Sequence, residues 1–414
     1  MISLIVIALG IVFLDIITVW GLKRTFPKFC SIRWRGICIA FIIQSVVAVV
    51  TILGGYLLQR HISDYRLFAW YYYFWGLMGG IYFPKAMFAF LLIFDWFLSK
   101  VSKLYRRQFD RFPRGSRRII AKCGVFISIA LIGLIVWSIF FERNLWKVDQ
   151  VEIFIDNLPN AFHGYKIALI SDIHAGSFAK ATDRFQKAVD LINQQEPNLI
   201  VCTGDFVNNF AEELIPVIPV FSQLNAPDGK FAVLGNHDYG GYSDWVNPAD
   251  SVANHELIKD EIEQMGFELL NNRSVIISRY NSDRMALIGI ESWGIKKRHS
   301  KRGNLEIAMK QVRNIPFKVL LTHDPTFWPV AVEGKTNINL TLSGHTHGMQ
   351  MGVKLGNKRF SLAPLFGFPY GAGLYQKGDQ YLYVNRGLGV VGFPGRLGMA
   401  PEITVITLWK VKSY

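Results

Sequence analysis

Four long apolar stretches occupy the first third of the chain and restrict what it can fold into. They cover residues 2–20, 37–58, 67–98 and 119–141. Each is long enough to cross a bilayer as a helix, which takes about 20 mostly apolar residues. The third contains Pro84 and Lys85, but residues 86–98 alone are too short for a second crossing, so one tilted or kinked helix is expected. Residues 1–141 are therefore predicted to form a transmembrane region with four helices.

Basic residues near these spans predict the orientation of the chain. They are concentrated in the loops after the first and third spans, and the loop after the second holds only Arg60 and Arg66. The first set is Lys23, Arg24, Lys28, Arg33 and Arg35, and the second is Lys100, Lys103, Arg106, Arg107, Arg111, Arg114, Arg117 and Arg118. Basic loops remain in the cytoplasm, so both termini should face outward. We expect a multi-pass protein of the cytoplasmic membrane whose C-terminal domain lies on the periplasmic or extracellular face.

The net charge of +14 does not point to nucleic acid once it is divided along the chain. Residues 1–141 carry 17 Lys and Arg against 4 Asp and Glu, which leaves 28 against 27 in residues 142–414. The basic runs could bind anionic lipid headgroups or nucleic acid, but membrane orientation already accounts for them. We therefore expect the bilayer as a partner and no nucleic acid, and no partner protein is evident.

Two carboxylates, Asp15 and Asp95, fall inside the apolar spans. A charged residue in the membrane is costly, and it can indicate a role in ion or proton movement. The alternative is that each faces the interior of the helical bundle or a membrane boundary, where it is paired or protonated. Because the sequence shows no repeat and no relay partner, the second interpretation is favoured.

A different pattern begins at Glu142. Residues 142–164 are typical of a short connector with one edge strand, and apolar runs then alternate with helix-like segments as far as the C-terminus. The predicted strands include residues 165–170, 198–202, 230–234, 275–280, 285–290, 317–321, 338–342, 359–364, 381–385 and 402–411, and the predicted helices are 179–195, 210–224, 255–270 and 303–313. This alternation predicts an α/β domain with buried strands over residues 165–414.

Residues of metal-ligand type follow five of these strands. They are Asp172 and His174, Asp205, Asn236 with His237 and Asp238, His323, and finally His345 and His347. In open α/β sheets, ligands bind at the carboxyl ends of the strands, so these side chains should converge there. Each alone could be a turn residue, a helix cap or a hydrogen-bonded structural histidine. Together they predict a metal centre.

The motifs "DIH", "GD", "GNHD", "TH" and "GHTH", in this order, resemble the calcineurin-like metallophosphoesterase superfamily. The closing "NRGLGVVGFPGRLGMAPEITVITL" is similar to that of its branch of membrane-anchored bacterial phosphodiesterases. This resemblance implies a two-sheet α/β sandwich flanked by helices, with a dinuclear metal centre at the strand ends.

The resemblance also implies a role for each site residue. Asp172, His174 and His347 would bind one cation, Asn236, His323 and His345 the other, and Asp205 would bridge both. Two divalent ions are implied, and this donor set suits Mn²⁺ best, with Fe or Zn²⁺ as alternatives. His237 would contact the phosphate and protonate the leaving oxygen, or it would only hydrogen-bond beside the metals.

Two positions depart from the family pattern. Asn208 stands where the family often has a second carboxylate, and a neutral amide near His237 would orient the imidazole without raising its pKa as a carboxylate does. Met349 stands where related chains often have glycine. It would narrow the pocket or touch a lipid tail, or simply pack on the surface.

The expected function is a membrane-anchored phosphohydrolase. A metal-activated hydroxide would cleave a phosphodiester or pyrophosphate bond of a lipid or cell-envelope substrate. The alternative is a non-catalytic membrane sensor or transporter-like protein with a metal-binding domain. The complete set of ligand candidates argues against a degenerate binding module, and the lack of inverted repeats argues against a transporter.

Overall fold

The computed structural model divides the chain into two units, and each is described by itself. One comprises Met1–His61 with Trp70–Trp137, and the other comprises Ile62–Ala69 with Ser138–Tyr414. The structure describes residues 2–58, 64–106, 117–178, 181–280, 283–294, 301–355 and 358–411. The predicted cytoplasmic residues Arg107, Arg111 and Arg114, together with Arg60, lie outside these ranges.

The apolar stretches form four long helices, as predicted. They are α1 (Ile2–Thr25), α2 (Ser31–Leu58), α3 (Tyr65–Arg106) and α4 (Arg117–Phe140). The third is one continuous helix that contains Pro84. Within these helices Ile5–Thr25, Ser31–Gly55, Tyr73–Leu98 and Ile119–Asn144 are long and apolar enough to be candidate membrane spans. Many of their large apolar side chains are exposed, as expected for helices that face lipid.

Asp15 is buried within this helical unit and paired. Its carboxylate forms an ion pair with Lys85 of α3, and it accepts hydrogen bonds from Ser45 of α2 at 2.5 Å and Tyr82 at 3.2 Å. The ammonium of Lys85 also lies 4.5 Å from the ring centre of Phe41. The prediction that Asp15 faces the bundle interior in a pair is confirmed, and its partner is Lys85. Asp95 is also buried.

The described residues of the second unit form two six-stranded sheets and a small two-stranded one. The strands are β1 (Lys147–Ile155), β2 (Tyr165–Ile170), β3 (Leu199–Cys202), β4 (Lys230–Ala232), β5 (Glu268–Leu269), β6 (Arg273–Ser278), β7 (Arg284–Gly289), β8 (Phe317–Leu321), β9 (Leu340–Ser343), β10 (Gly352–Leu355), β11 (Lys358–Ser361), β12 (Gly373–Lys377), β13 (Gln380–Val384) and β14 (Glu402–Lys410). The first sheet has the order β1-β14-β2-β3-β4-β5 and the second has the order β12-β13-β9-β8-β7-β6. The two-sheet α/β class expected from the sequence is confirmed.

The register of the strands brings the ligand-bearing ends together. β2, β3 and β4 are mutually parallel in the first sheet, and β7, β8 and β9 are mutually parallel in the second. One apolar core lies between the sheets, where Ile167 and Leu169 of β2 meet Val319 of β8 and Leu342 of β9. The alternate residues Ala168 and Ile170 face the helices on the other side. Since both faces are covered, these strands are almost entirely apolar.

Four further helices cover the sheets, and their bounds differ from the prediction. They are α5 (Ala181–Asn193), α6 (Ile218–Phe221), α7 (Pro248–Gln264) and α8 (Leu305–Met309). The long helix predicted over 210–224 is wrong, and only a 3₁₀ turn and α6 form. Pro216 interrupts a continuous helix, and Pro219 lies in the first turn of α6, where proline is tolerated. α7 begins earlier than predicted because Asn247 caps it, its side chain accepting the N–H of Ala249 at 3.1 Å.

Candidate metal centre

The predicted ligands lie in the loops that leave five neighbouring strands. Asp172 and His174 follow β2, and Asp205 follows β3. Asn236 and His237 follow β4. The remaining histidines come from the second sheet: His323 follows β8, and His345 and His347 follow β9. Both sheets therefore contribute to one site, at the carboxyl ends of their parallel strands.

The backbone at this site adopts a conformation that residues other than glycine rarely occupy. Among the described residues, nine non-glycine positions have positive φ, and five of them are predicted metal ligands. These five are Asp172 (48°), His174 (45°), Asp205 (57°), His345 (69°) and His347 (50°). Such strain persists only where surrounding contacts impose it, and it concentrates at functional sites. The concentration here supports a built site over a chance collection of polar loops.

The first group of donors consists of Asp172, His174 and His347. His347 Nε2 lies 3.2 Å from Asp172 Oδ1 and 3.2 Å from His174 Nε2. All three residues are buried. Their donor atoms lie close enough together to hold one metal ion.

The second group consists of Asn236, His323 and His345. His323 Nε2 lies 3.1 Å from Asn236 Oδ1 and 3.1 Å from His345 Nδ1. Asp205 lies between the two groups, since its Oδ2 atom is 3.1 Å from His323 Nε2 and 3.7 Å from His174 Nε2. One carboxylate is therefore positioned to serve both groups.

Hydrogen bonds on the far side of two imidazoles decide which nitrogen faces the site. His174 Nδ1 lies 3.1 Å from the main-chain oxygen of Val207, and His323 Nδ1 lies 2.7 Å from that of Thr203. A neutral imidazole that donates from Nδ1 keeps a lone pair on Nε2. With both imidazoles neutral, lone pairs in each group would converge on one another at close to 3 Å, an arrangement that a cation stabilises. The residues present therefore fit divalent metal ions.

Burial and neighbouring charges shift the pKa values of several residues at the site. Burial opposes ionisation of Asp205, but His323 and His237 outweigh this and hold the pKa of that carboxyl well below its usual range. Burial disfavours a charged His323, yet the carboxylate of Asp205 raises its pKa to about 10. Burial, together with His237, lowers the pKa of His174 well below its usual value. Asp205 therefore remains a carboxylate, and in the metal-free protein a proton occupies His323.

His237 is held beside the metal ligands by contacts that the sequence did not predict. Its Nδ1 atom lies 2.7 Å from the main-chain oxygen of Asn208, and its ring stacks on Tyr242 with ring centres 4.0 Å apart. Its backbone N–H donates to Asp205 Oδ1 at 2.9 Å. Burial lowers the pKa of His237. The neutral imidazole is therefore favoured unless a further negative charge lies beside it.

The expectation that the side-chain amide of Asn208 orients His237 is wrong. Asn208 Oδ1 instead accepts a hydrogen bond from Ser177 Oγ at 3.1 Å. Because a main-chain oxygen holds the imidazole, the identity of residue 208 has little bearing on the orientation of His237. Met349, the other departure, has a left-handed φ of 55° and is half-buried.

Two buried carboxylates without a predicted role hold the ligand loops in place. Asp238 Oδ2 accepts N–H groups from Asp205 and Gly235, each at 2.8 Å. Asp238 Oδ1 accepts the N–H of Phe206 at 2.8 Å. Asp238 belongs to the "GNHD" motif and directly follows Asn236 and His237 in the sequence. That position could have indicated a structural role for Asp238, but none was assigned from the sequence.

Glu213 is the second of these carboxylates. It accepts four main-chain N–H groups, those of Asn208 at 2.6 Å, Asn209 at 2.9 Å, Phe210 at 3.0 Å and Gly176 at 3.1 Å. The loops that carry Asn208 and His174 are thereby joined. No motif surrounds Glu213 in the sequence, so nothing there could have singled it out.

Two glycines allow the ligand loops to approach one another. A Cβ atom on Gly235 would lie 2.1 Å from Asp205 Oδ1, and one on Gly344 would lie 1.9 Å from Ser171 Oγ. Neither distance leaves room for a methyl group. The glycines of "GNHD" and "GHTH" are therefore required by the close packing of the site.

Comparison with known proteins agrees with this geometry. A family model described as calcineurin-like phosphoesterase matches residues 165–349. The uncharacterized metallophosphoesterase YkuE of Bacillus subtilis is 32% identical over 279 residues, which are 65% of this chain and 87% of YkuE. The chain belongs to the calcineurin-like metallophosphoesterase family. It is a metal-dependent phosphoesterase.

Two other relatives extend the comparison. A transmembrane protein with metallophosphoesterase domain from Danio rerio is 30% identical over 267 residues, 63% of this chain but only 57% of that protein. The phosphodiesterase YaeI of Escherichia coli is 29% identical over 246 residues, 59% of this chain and 82% of that protein. With four candidate spans and a transmembrane relative, this metallophosphoesterase is a membrane protein.

Proposed function

We propose that this enzyme is a dinuclear-metal phosphohydrolase that cleaves a phosphodiester or pyrophosphate bond. Asp172, His174 and His347 would bind one cation, and Asn236, His323 and His345 would bind the other. Asp205 would contribute its carboxylate to both. The observation that carries this proposal is the position of Asp205 Oδ2, 3.7 Å from His174 Nε2 on one side and 3.1 Å from His323 Nε2 on the other.

The protein and the cations divide the chemistry between them. Two bound cations lower the pKa of water and neutralise the charge of the phosphoryl oxygens. The main-chain oxygens of Val207 and Thr203 keep His174 and His323 oriented toward the cations. His237 contacts the phosphate and gives a proton to the leaving oxygen, with its Nδ1 hydrogen bond to Asn208 fixing the ring.

Manganese is the proposed metal, with iron or zinc as alternatives. The six ligands that are not shared comprise four imidazoles, one carboxylate and one amide oxygen, a mixture that such first-row ions accept. The donor groups contain no thiolate. Metal analysis of the purified full chain, grown with each metal supplied in turn, tests this assignment.

The proposed substrate is a phosphorylated lipid or an envelope polymer on the outer face of the cytoplasmic membrane. Support comes from four candidate spans, which exceed what anchoring requires, and from the positive-inside distribution of the loops. The phosphodiesterase name of the Escherichia coli relative also favours a diester over a monoester.

The decisive experiment compares the full chain with its Asp205→Ala variant in detergent and Mn²⁺. We expect the wild type to hydrolyse bis(p-nitrophenyl) phosphate faster than p-nitrophenyl phosphate, and the variant to hydrolyse neither. Equal inactivity of both proteins, with metal bound, on a broad panel of phosphodiesters and pyrophosphates would overturn the proposed reaction.

A separate experiment tests the orientation. Alkaline phosphatase, which is active only outside the cytoplasm, is fused to the C-terminus of the full chain. Activity of the fusion supports an outward-facing domain. Activity of a cytoplasm-dependent reporter at the same position would place the domain inside and make nucleotide-linked lipids the preferred substrates.

A further inference from the structure

The small hairpin of β10 and β11 has its apolar face on the outside. Val353 of β10 pairs with Phe360 of β11, so both side chains lie on one face together with Leu355, two residues from Val353. These side chains are 56%, 55% and 63% exposed. Strands of soluble domains normally turn such residues inward.

The other face of the hairpin is polar and turns toward the body of the unit. Lys354 pairs with Arg359 on that face. The guanidinium of Arg359 forms a bidentate pair with Asp149 of β1, at 2.8 and 2.9 Å. The hairpin is therefore held by its charged side and presents its apolar side outward.

The segment after the hairpin carries further exposed apolar side chains. The turn Ala363–Phe366 begins two residues after the end of β11 and carries Leu365 and Phe366, which are 81% and 57% exposed. Val353, Leu355, Phe360, Leu365 and Phe366 are called here the apolar ledge. Large apolar side chains left exposed on a folded domain are typical of sites that interact with a protein or a membrane.

Contacts within the second unit link the start of β10 to Ser138 and Arg143, which belong both to this unit and to the last residues of the fourth candidate span, Ile119–Asn144. Arg143 Nη1 donates a hydrogen bond to the main-chain oxygen of Pro394 at 2.9 Å. The main-chain N–H of Arg396 donates to the main-chain oxygen of Ser138 at 3.1 Å. Leu397, the next residue, accepts the N–H of Gly352 at the start of β10 at 2.9 Å. Arg396 and Leu397 thus connect the start of β10 to Ser138 through two main-chain hydrogen bonds.

We propose that the apolar ledge docks into the surface of the bilayer that the fourth span crosses. Leu365 and Phe366 enter the boundary between headgroups and acyl chains, and the face of Val353, Leu355 and Phe360 lies along it. His347 precedes β10 by only five residues, so docking brings the metal centre to the level of lipid phosphate groups. This inference extends beyond the proposed reaction, because docking requires no catalysis.

Photo-crosslinking of the full chain tests this docking. The full chain carrying Phe366→p-benzoylphenylalanine is reconstituted in vesicles of phosphatidylglycerol and phosphatidylcholine and irradiated. Intact-protein mass spectrometry then detects any lipid adduct. The matched control is Tyr280→p-benzoylphenylalanine. Tyr280 is 81% exposed but follows β6 near Asp228, at the amino ends of the parallel strands. Phe126→p-benzoylphenylalanine in α4, where Phe126 is 75% exposed, is the positive control for lipid contact.

The expected result is a lipid adduct at positions 366 and 126, with at least tenfold less at position 280. An adduct at 366 that joins two copies of the chain instead of lipid would overturn the proposal in favour of self-association. The absence of any adduct at 366, with a normal yield at 126, would also overturn it. In a second variant, Leu365→Ser combined with the crosslinker at 360, we expect the lipid adduct to fall severalfold, and an unchanged yield contradicts docking.

Discussion

The imidazole of His237 is oriented by the main-chain oxygen of Asn208, which lies 2.7 Å from Nδ1. The Asn208 side chain points elsewhere and accepts a hydrogen bond from Ser177. The orientation of His237 therefore depends on the path of the backbone after β3. Glu213 fixes that path by accepting three successive main-chain N–H groups.

His237→Ala should lower kcat by about 10²- to 10⁴-fold, the usual contribution of a positioned acid or base. Metal content should remain unchanged, because His237 is not among the seven proposed ligands. Asn208→Ala, the matched control, should leave kcat and its pH profile close to those of the wild type. A pH profile displaced by Asn208→Ala would show that the side chain governs His237 after all.

Asp205→Asn should abolish the binding of both metal ions, whereas Asn236→Ala should weaken the binding of one. The physical reason is that Asp205 Oδ2 lies 3.7 Å from His174 Nε2 in one donor group and 3.1 Å from His323 Nε2 in the other, and supplies a negative charge to both. A loss of several kcal/mol of charge stabilisation corresponds to an activity drop of more than about 100-fold. Inductively coupled plasma mass spectrometry of the purified proteins measures the metal content. Retention of one full equivalent by Asp205→Asn would argue against a bridging role.

Metal binding should release a proton from His323. Burial disfavours its charged form, but Asp205 raises its pKa to about 10, so at pH 7 the metal-free imidazole carries a proton that the cation must displace. Affinity should rise about tenfold per pH unit from pH 7 toward 10 through this group. Calorimetric titrations in two buffers of different ionisation enthalpy measure the released proton. Identical heats in both buffers would contradict the prediction.

The raised pKa of His323 should also make the metal-free protein less stable as the pH rises, whereas its affinity for metal should increase. A histidine whose pKa is raised on folding stabilises the folded state when protonated. This contribution is complete below the ordinary value of 6.5 and is lost as the pH rises toward about 10. Thermal unfolding of the metal-free chain between pH 6 and 10 measures it. A metal-free protein that becomes more stable over this range would contradict the assignment of the proton to His323.

Burial raises the pKa of Glu213 to about 7, so its carboxyl is charged at pH 8. At that pH Glu213→Gln should destabilise the globular unit by about 2 kcal/mol or more, since hydrogen bonds to a charged group contribute about 1.5–3 kcal/mol each. A glutamine amide turns an N–H₂ group toward backbone donors that need an acceptor. Glu212→Gln is the control, because Glu212 is adjacent but exposed. Thermal unfolding of the metal-loaded chains measures the difference, and equal midpoints for the two variants would contradict it.

Asp15→Asn and Lys85→Met should each destabilise the helical unit by about 3–5 kcal/mol, because either leaves a buried charge without its partner. The double variant should recover most of this loss. Thermal unfolding in detergent measures all four proteins. If the two single effects simply add in the double variant, the pair does not act as a unit.

Local patterns in the sequence were sufficient for part of this result. The length of an apolar run determines whether it can span a bilayer, so four helices were foreseen. Several observed helices extend beyond the apolar runs, and α3 ends at Arg106 instead of residue 98. The candidate metal ligands that follow β2, β3, β4, β8 and β9 could be predicted, because an apolar strand and the short polar motif after it both consist of residues adjacent in the sequence. The grouping of those donors came from family resemblance, and the structure brings the same residues together.

Contacts between distant residues could be decided only by the tertiary structure. The partner of Asp15 is 70 residues away, and the carboxylate of Glu213 reaches Gly176 across 37 positions. The outward turn of the β10 and β11 hairpin is fixed by Arg359 and Asp149, which are 210 residues apart. The sequence by itself determined which segments are long and apolar enough to cross a membrane and which side chains can bind metal, because hydropathy and motif spacing are local. Which groups hold those side chains, and which apolar surface stays uncovered, follows from packing between segments that no local pattern encodes.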